Sequence, residues 1–251
     1  METTAIQTAP LSPQFLQWWF EPWEYAQPWP GDMALPQGLV GRRDGYAMWC
    51  RQAGVQADFP NRIEGLWQAA AIGEAALLEQ VATLFAGLLA ARENDLKALQ
   101  GLDAAQRRWC MSVAALQPLL SLASGTLADG TRASLLQRGL LEIRAWLDSG
   151  FAGMWSRLRH VLPIETASEL DLQPAAARPA GELSAAAIKR AQRCWQLCTD
   201  RAQATLEEET FDADNSGSSF DKAMTAPRNP VSAAMRQSAP FPANRNSTGI
   251  R

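Results

Sequence analysis

The chain has one histidine and two tyrosines in 251 residues. A serine-histidine-acid site would have to use His160, and no Gly-x-Ser-x-Gly elbow accompanies it. Nor does any glycine cluster end in the Gly-Lys-Ser/Thr of a phosphate-binding loop. Strand-like alternation is nearly absent, and no repeat of fixed period is visible. A basic field is also missing. Net charge is −3 and the pI is near 5.3, which argues against a nucleic-acid binder. Residues 1–20 hold no Lys or Arg and no continuous apolar run, so a secretory signal is not expected. The four cysteines, Cys50, Cys110, Cys194 and Cys198, sit in apolar or helical contexts. They are expected to be reduced, small hydrophobes in a reducing compartment.

What is present is apolar surface. The sequence is 47% hydrophobic and carries ten tryptophans, enough for one sizeable core with several aromatic anchors. The clearest helical pattern lies at Ser134–Pro163. Leu136, Leu140, Ile143 and Leu147 mark one face of a helix, with Arg138, Glu142 and Arg144 outside it. Asp148-Ser149-Gly150 interrupts. A second stripe follows at Phe151, Met154/Trp155, Leu158 and Leu162, and Pro163 stops it. Two such helices joined by so few residues must form a hairpin or a sharp bend. Trp146 and Trp155 place this pair at the centre of the core.

The spacing predicts further helices around it. A short one fits Ser12–Phe20, inside a stretch where Trp18, Trp19, Trp23 and Trp29 alternate with Pro22, Pro28, Pro30 and Pro36. These four tryptophans are either the lid of the core or an exposed partner-binding site. Asp44–Ala53 makes another helix, with Tyr46, Trp49 and Cys50 on one side. Asn61 caps a long helix to about Glu93, its stripe running Ile63, Trp67, Ala70, Leu77, Val81, Leu84 and Leu88, with Glu74 as a rim carboxylate. The window Ala69–Ala91 is apolar, but Glu74, Glu79 and Gln80 make it a buried soluble helix rather than a membrane span. Asp103 caps a helix that presents Trp109, Val113 and Leu116 and is bent or restarted at Pro118. Thr131 is expected to cap the central pair. Thr166–Gly181 reads as a surface linker. Ser184 caps a last helix to about Glu209, striped by Ile188, Ala191, Trp195, Cys198, Ala202 and Leu206, with fraying from about Leu206.

The domain expectation is a flexible 1–13, an all-α helical domain of about six to eight helices at 14–209 with a surface linker at 164–183, and a disordered tail at 210–251. Candidate chemistry is sparse. Arg157 and Arg159 flank His160 as on a solvated face. Cys194 and Cys198 share a helix face, but with His160 they supply only three zinc ligands where four are usual. Asp212, Asp214 and Gly217 resemble the opening of a calcium loop, but Ala223 stands where the bidentate Glu is needed. No catalytic set, metal or cofactor is expected.

Two regions resemble the SctK family of type III secretion sorting-platform accessory proteins, including the plant-pathogen Hrp branch. The central match is Gly139-Leu140, Trp146-Leu147, Trp155, Arg157-Leu158 and Leu162-Pro163. The N-terminal match is Phe20, Pro22, Tyr25, Pro28, Trp29 and Pro30. Ala26-Gln27 stand where the family often has a histidine after the tyrosine. The resemblance implies a helical, non-enzymatic cytoplasmic adaptor, peripheral to the inner membrane. Its implied partners are the cytoplasmic domain of the inner-membrane ring and the pod protein of the sorting platform, with no nucleic acid and no membrane insertion of its own. The alternative is a secreted effector or chaperone-like cargo binder, for which the Ser/Thr/Pro-containing start at Met1–Pro13 speaks.

Overall fold

A computed structural model of the chain describes residues 10–26, 38–60, 65–123, 125–173 and 183–222, with side chains to 208 in the last helix. The fold is all-α. The described residues form nine α-helices and three short 3-10 segments, and their only ladder contact is an isolated bridge between Thr126 and Arg132. The chain divides into two units, Met1–Glu209 and Thr210–Arg251.

The first unit is built around α3, Ala75–Arg92. This helix is long and apolar enough to cross a membrane, yet every residue from Leu84 to Ala90 is buried within the fold. A helix that is apolar all round belongs in the middle of a bundle. It packs chiefly on α6, Leu135–Gly150, and on α5, Ala104–Leu116. Gly139 makes the α3–α6 contact possible. A β-carbon there would overlap the backbone carbonyl of Ala82, so only glycine lets the two helix backbones touch.

Several starts are capped as the residues dictate. Ser12 accepts from Phe15 N at the head of α1, Pro13–Phe20. Asp103 and Gln106 form a reciprocal capping box on α5, and Ser134 and Gln137 form another on α6. The cap of α6 is therefore Ser134, three residues beyond the expected Thr131, because only Ser134 has a glutamine at the right spacing. Other boundaries also move. α2 begins at Gly38 and runs to Ala53. The long helix expected from Asn61 is instead a 3-10 segment, Gly65–Ala70, an extended stretch, and then α3. Asn61 itself lies outside the described residues. α5 ends at Leu116 and does not restart after Pro118. Its buried side is Cys110 and Ala114, and Leu116 is 80% exposed.

α6 continues through Asp148 and Ser149 to Gly150. A bend follows at Gly153 (φ 80°), a left-handed conformation that glycine adopts at no steric cost. α7, Met154–Leu158, and the 3-10 turn Arg159–Val161 complete the bent pair. Pro163 ends this run but starts another: α8, Ile164–Asp171, occupies part of the expected linker, anchored by buried Leu170. The remainder of that linker, 174–182, lies outside the described residues. α9 is longer than expected, Ala185–Lys222. No proline and only one glycine, Gly217, interrupt that span, so nothing local stops the helix. The tail from 223 lies outside the described residues, as do 1–9 of the expected flexible N-terminus.

Candidate functional site

The N-terminal tryptophans divide by position. α1 inserts Phe15 and Trp19 against Phe151 of the α6–α7 bend, with ring centroids 5.6 and 5.5 Å apart. Trp18 stacks on Tyr25 at 4.8 Å and donates its indole N–H to the carbonyl of Ile72. Trp18 and Trp19 are buried, so they stand in the core rather than on a docking surface. Trp23 is half-buried against the same cluster. Trp29 lies outside the described residues.

Beneath Trp19 sits Arg157, fully buried. Its place beside His160 on a short amphipathic helix suggests a solvated face; the fold reverses this. The guanidinium donates to Tyr46 Oη at 2.6 Å, to the Gln56 carbonyl at 2.7 Å and to the Gly153 carbonyl at 3.3 Å. Tyr46 Oη in turn donates to the Ala57 carbonyl. Burying a lone cation is costly unless it is hydrogen-bonded. Here no carboxylate balances it among the described residues; carbonyl oxygens and an indole face do. Burial raises the phenol pKa of Tyr46 despite the opposing Arg157 cation, and burial likewise raises that of Tyr25. Both phenols stay protonated.

A second buried charge is Glu142, also placed outside the sequence stripe and also wholly buried. It accepts from Ser121 Oγ and, at 2.8 Å, from Leu122 N, and so ties the non-helical segment after α5 onto α6. Burial raises its pKa, opposed by the Ser121, Leu122 and Ala123 donors and by the Arg138 charge. Arg138, one turn earlier, is buried too and pairs with Glu93 at 2.6 Å. Above them opens a cleft of about 490 Å³ lined by Glu93, Asp95, Ser121, Arg132 and Arg138. Its charges are paired with each other, Arg138 to Glu93 and Arg132 to Asp95. Chemically it is a polar recess whose described ion pairs are internal and whose wall holds the Ser121 hydroxyl against the buried Glu142 carboxyl group.

The remaining candidates do not converge. His160 is half-buried edge-on to Trp49, and burial holds its pKa down at about 4. All four cysteines are free and buried. Burial pushes the thiols of Cys110 and Cys194 up to about 12 and about 11, so they remain protonated and unreactive at neutral pH. No group of three or more potential metal ligands occurs among the described residues. Glu74 lies exposed just ahead of α3. The Asp212–Gly217 stretch has helical backbone rather than a calcium loop.

The residues missed in sequence, Arg157, Glu142 and Arg138, had one available signal. Leu140, Leu141, Ile143 and Ala145 spread apolar surface over more than one stripe of α6, which marks a helix covered on several sides. No family model matches this chain, and neither the curated proteins nor the solved structures contain a significant match.

Proposed function

We propose that the chain is a non-enzymatic cytoplasmic adaptor of a bacterial type III secretion system, joining the inner-membrane ring to the sorting-platform pods. One observation carries this reading. The central stretch that resembles the SctK family and the described part of the N-terminal one, Phe20–Tyr25, lie more than a hundred residues apart, yet they meet around Arg157. Phe20 packs on Tyr46 at 5.2 Å, Tyr46 binds Arg157, and Tyr25 lies in the Arg157 field. In the central stretch, Gly139, Leu140, Trp146, Leu147, Trp155, Leu158 and Leu162 are all buried. The pattern is thus one of packing, as expected of a shared scaffold rather than a shared active site.

The test is binding of the full chain to the ring protein's cytoplasmic domain and to the pod protein, together with secretion in a deletion strain. The adaptor reading expects binding to both and loss of secretion on deletion. Binding to neither, with secretion intact, rejects it. Appearance of the protein itself in the medium supports the effector alternative instead.

A further inference from the structure

Glu142 is wholly buried on α6, and its hydrogen-bond partners come from the non-helical segment that follows α5, Gln117–Ala123. Oε2 receives the Leu122 N–H at 2.8 Å, and Oε1 lies in hydrogen-bond contact with Ser121 Oγ. Ser121 Oγ has a second neighbour, the carbonyl oxygen of Ala123, at 3.1 Å. A hydroxyl has one proton to give. A carboxylate and a carbonyl are both acceptors, so an ionised Glu142 leaves one of these two contacts without a hydrogen. A carboxylic acid removes the shortage. Oε1–H donates to Ser121 Oγ, the Ser121 hydroxyl donates to the Ala123 carbonyl, and Oε2 still accepts from Leu122. Every proton in the chain is then used once.

The surrounding charges favour the same state. Arg138, one turn earlier, acts on Glu142, but its guanidinium is paired with Glu93 at the C-terminal end of α3. Arg132 is paired with Asp95. Arg190 of α9 donates to the Pro118 carbonyl at 3.4 Å, and the Cys194 thiol beside the Gln117 carbonyl stays protonated. Each of these cations is engaged elsewhere. Burial then works against the charged form and raises the pKa of Glu142 despite the Ser121, Leu122 and Ala123 donors and the Arg138 charge.

We infer that Glu142 is a neutral carboxylic acid in the folded protein and clasps Ser121–Ala123 onto α6 as a hydrogen-bond donor, a clasp that loss of its proton loosens. Ser121 and Ala123 line the cleft beside Arg138, so the clasp also sets one wall of that cleft. On deprotonation the Ser121 hydroxyl turns to the carboxylate, the Ala123 carbonyl loses its donor, and a charge stands where burial makes it costly. Glutamine copies the neutral acid without titrating: its amide nitrogen donates to Ser121 and its amide oxygen accepts from Leu122.

The test compares the full chain with its Glu142→Gln variant at neutral and alkaline pH. At neutral pH the infrared difference spectrum should show the carbonyl stretch of one protonated carboxyl group, since carboxyl groups in water are ionised there. The band should fade in wild type as pH rises. Hydrogen exchange at the Leu122 amide should be equal in the two proteins while the band persists. It should become about tenfold faster in wild type once the band is gone, as for loss of a buried hydrogen bond. Absence of the band at neutral pH makes Glu142 a carboxylate and overturns the inference. So does Leu122 exchange that stays equal after the band has faded, because the proton then holds nothing. Should Glu142→Gln fail to fold, carbon NMR of wild type carrying isotope-labelled glutamate carboxyls decides alone. One resonance in the acid form at neutral pH, displaced by Ser121→Ala, supports the clasp. No such resonance, or one that Ser121→Ala leaves in place, overturns it.

Discussion

The guanidinium carbon of Arg157 lies 3.8 Å from the centre of the Trp19 ring, and this contact joins the N-terminal helix to the α6–α7 bend. Cation and indole face attract directly, more strongly when desolvated. The same guanidinium satisfies two backbone carbonyls and Tyr46. Lysine cannot reproduce this, since its ammonium has no planar fork to stack while reaching three acceptors. Arg157→Lys should therefore destabilise the fold by about 2–3 kcal/mol, through orphaned carbonyls and a poorly solvated charge. Urea denaturation checks it; an unchanged midpoint would show that the stack is incidental.

Gly139→Ala tests the backbone contact between α3 and α6. The added methyl meets the Ala82 carbonyl and the Ala82 Cα, which are main chain and cannot rotate away. The helices must separate, at a cost of about 3 kcal/mol, the upper end of overpacking effects. Gly125→Ala is the control, because a β-carbon there meets nothing within 4 Å. If the two variants unfold at the same denaturant concentration, the close approach is not real.

Glu142 predicts a pH dependence. Burial raises its pKa from the usual 4.5. The folded state then holds this proton more tightly than the unfolded state. Its stabilising effect is complete below the unfolded pKa and is lost as pH rises through the folded one. Glu142→Gln removes that slope. The midpoint of the glutamine variant relative to wild type should accordingly climb between about pH 4 and about pH 8. Thermal melts of both proteins at the two pH values measure this directly. A difference that stays constant, or falls, contradicts the assignment.

Truncation after Glu209 removes Thr210–Lys222 from α9 together with everything beyond it. The removed helical portion has two large apolar residues, Phe211 and Phe220, nine positions apart, with Asp, Asn and Ser between them. It cannot bury enough surface to offset the ordering cost of about 1–2 kcal/mol per residue. The thermal midpoint of Met1–Glu209 should match that of the full chain. A drop of several degrees would place stabilising contacts beyond Glu209.

The helical class, the capping residues Asp103 and Ser184, and the inward faces of α7 and α9 were all legible in the sequence, because they depend on neighbours within one or two turns. Phe151, Met154, Leu158 and Leu162 are buried as their spacing implies, and so are Ala191, Trp195, Cys198 and Ala202. What lies inside besides the apolar stripe was not legible. Arg138, Glu142 and Arg157 look like surface charge from their local spacing, since a single stripe assumes a single packing partner. α6 is covered by α3 on one side and by the Ser121–Leu122 segment on another; Arg157 is enclosed by Trp19, Tyr46 and Gln56. These partners come from residues about 20 to 140 positions away. Only the tertiary structure brings them together, and a buried charge is tolerated only where such distant donors, acceptors and ring faces meet it.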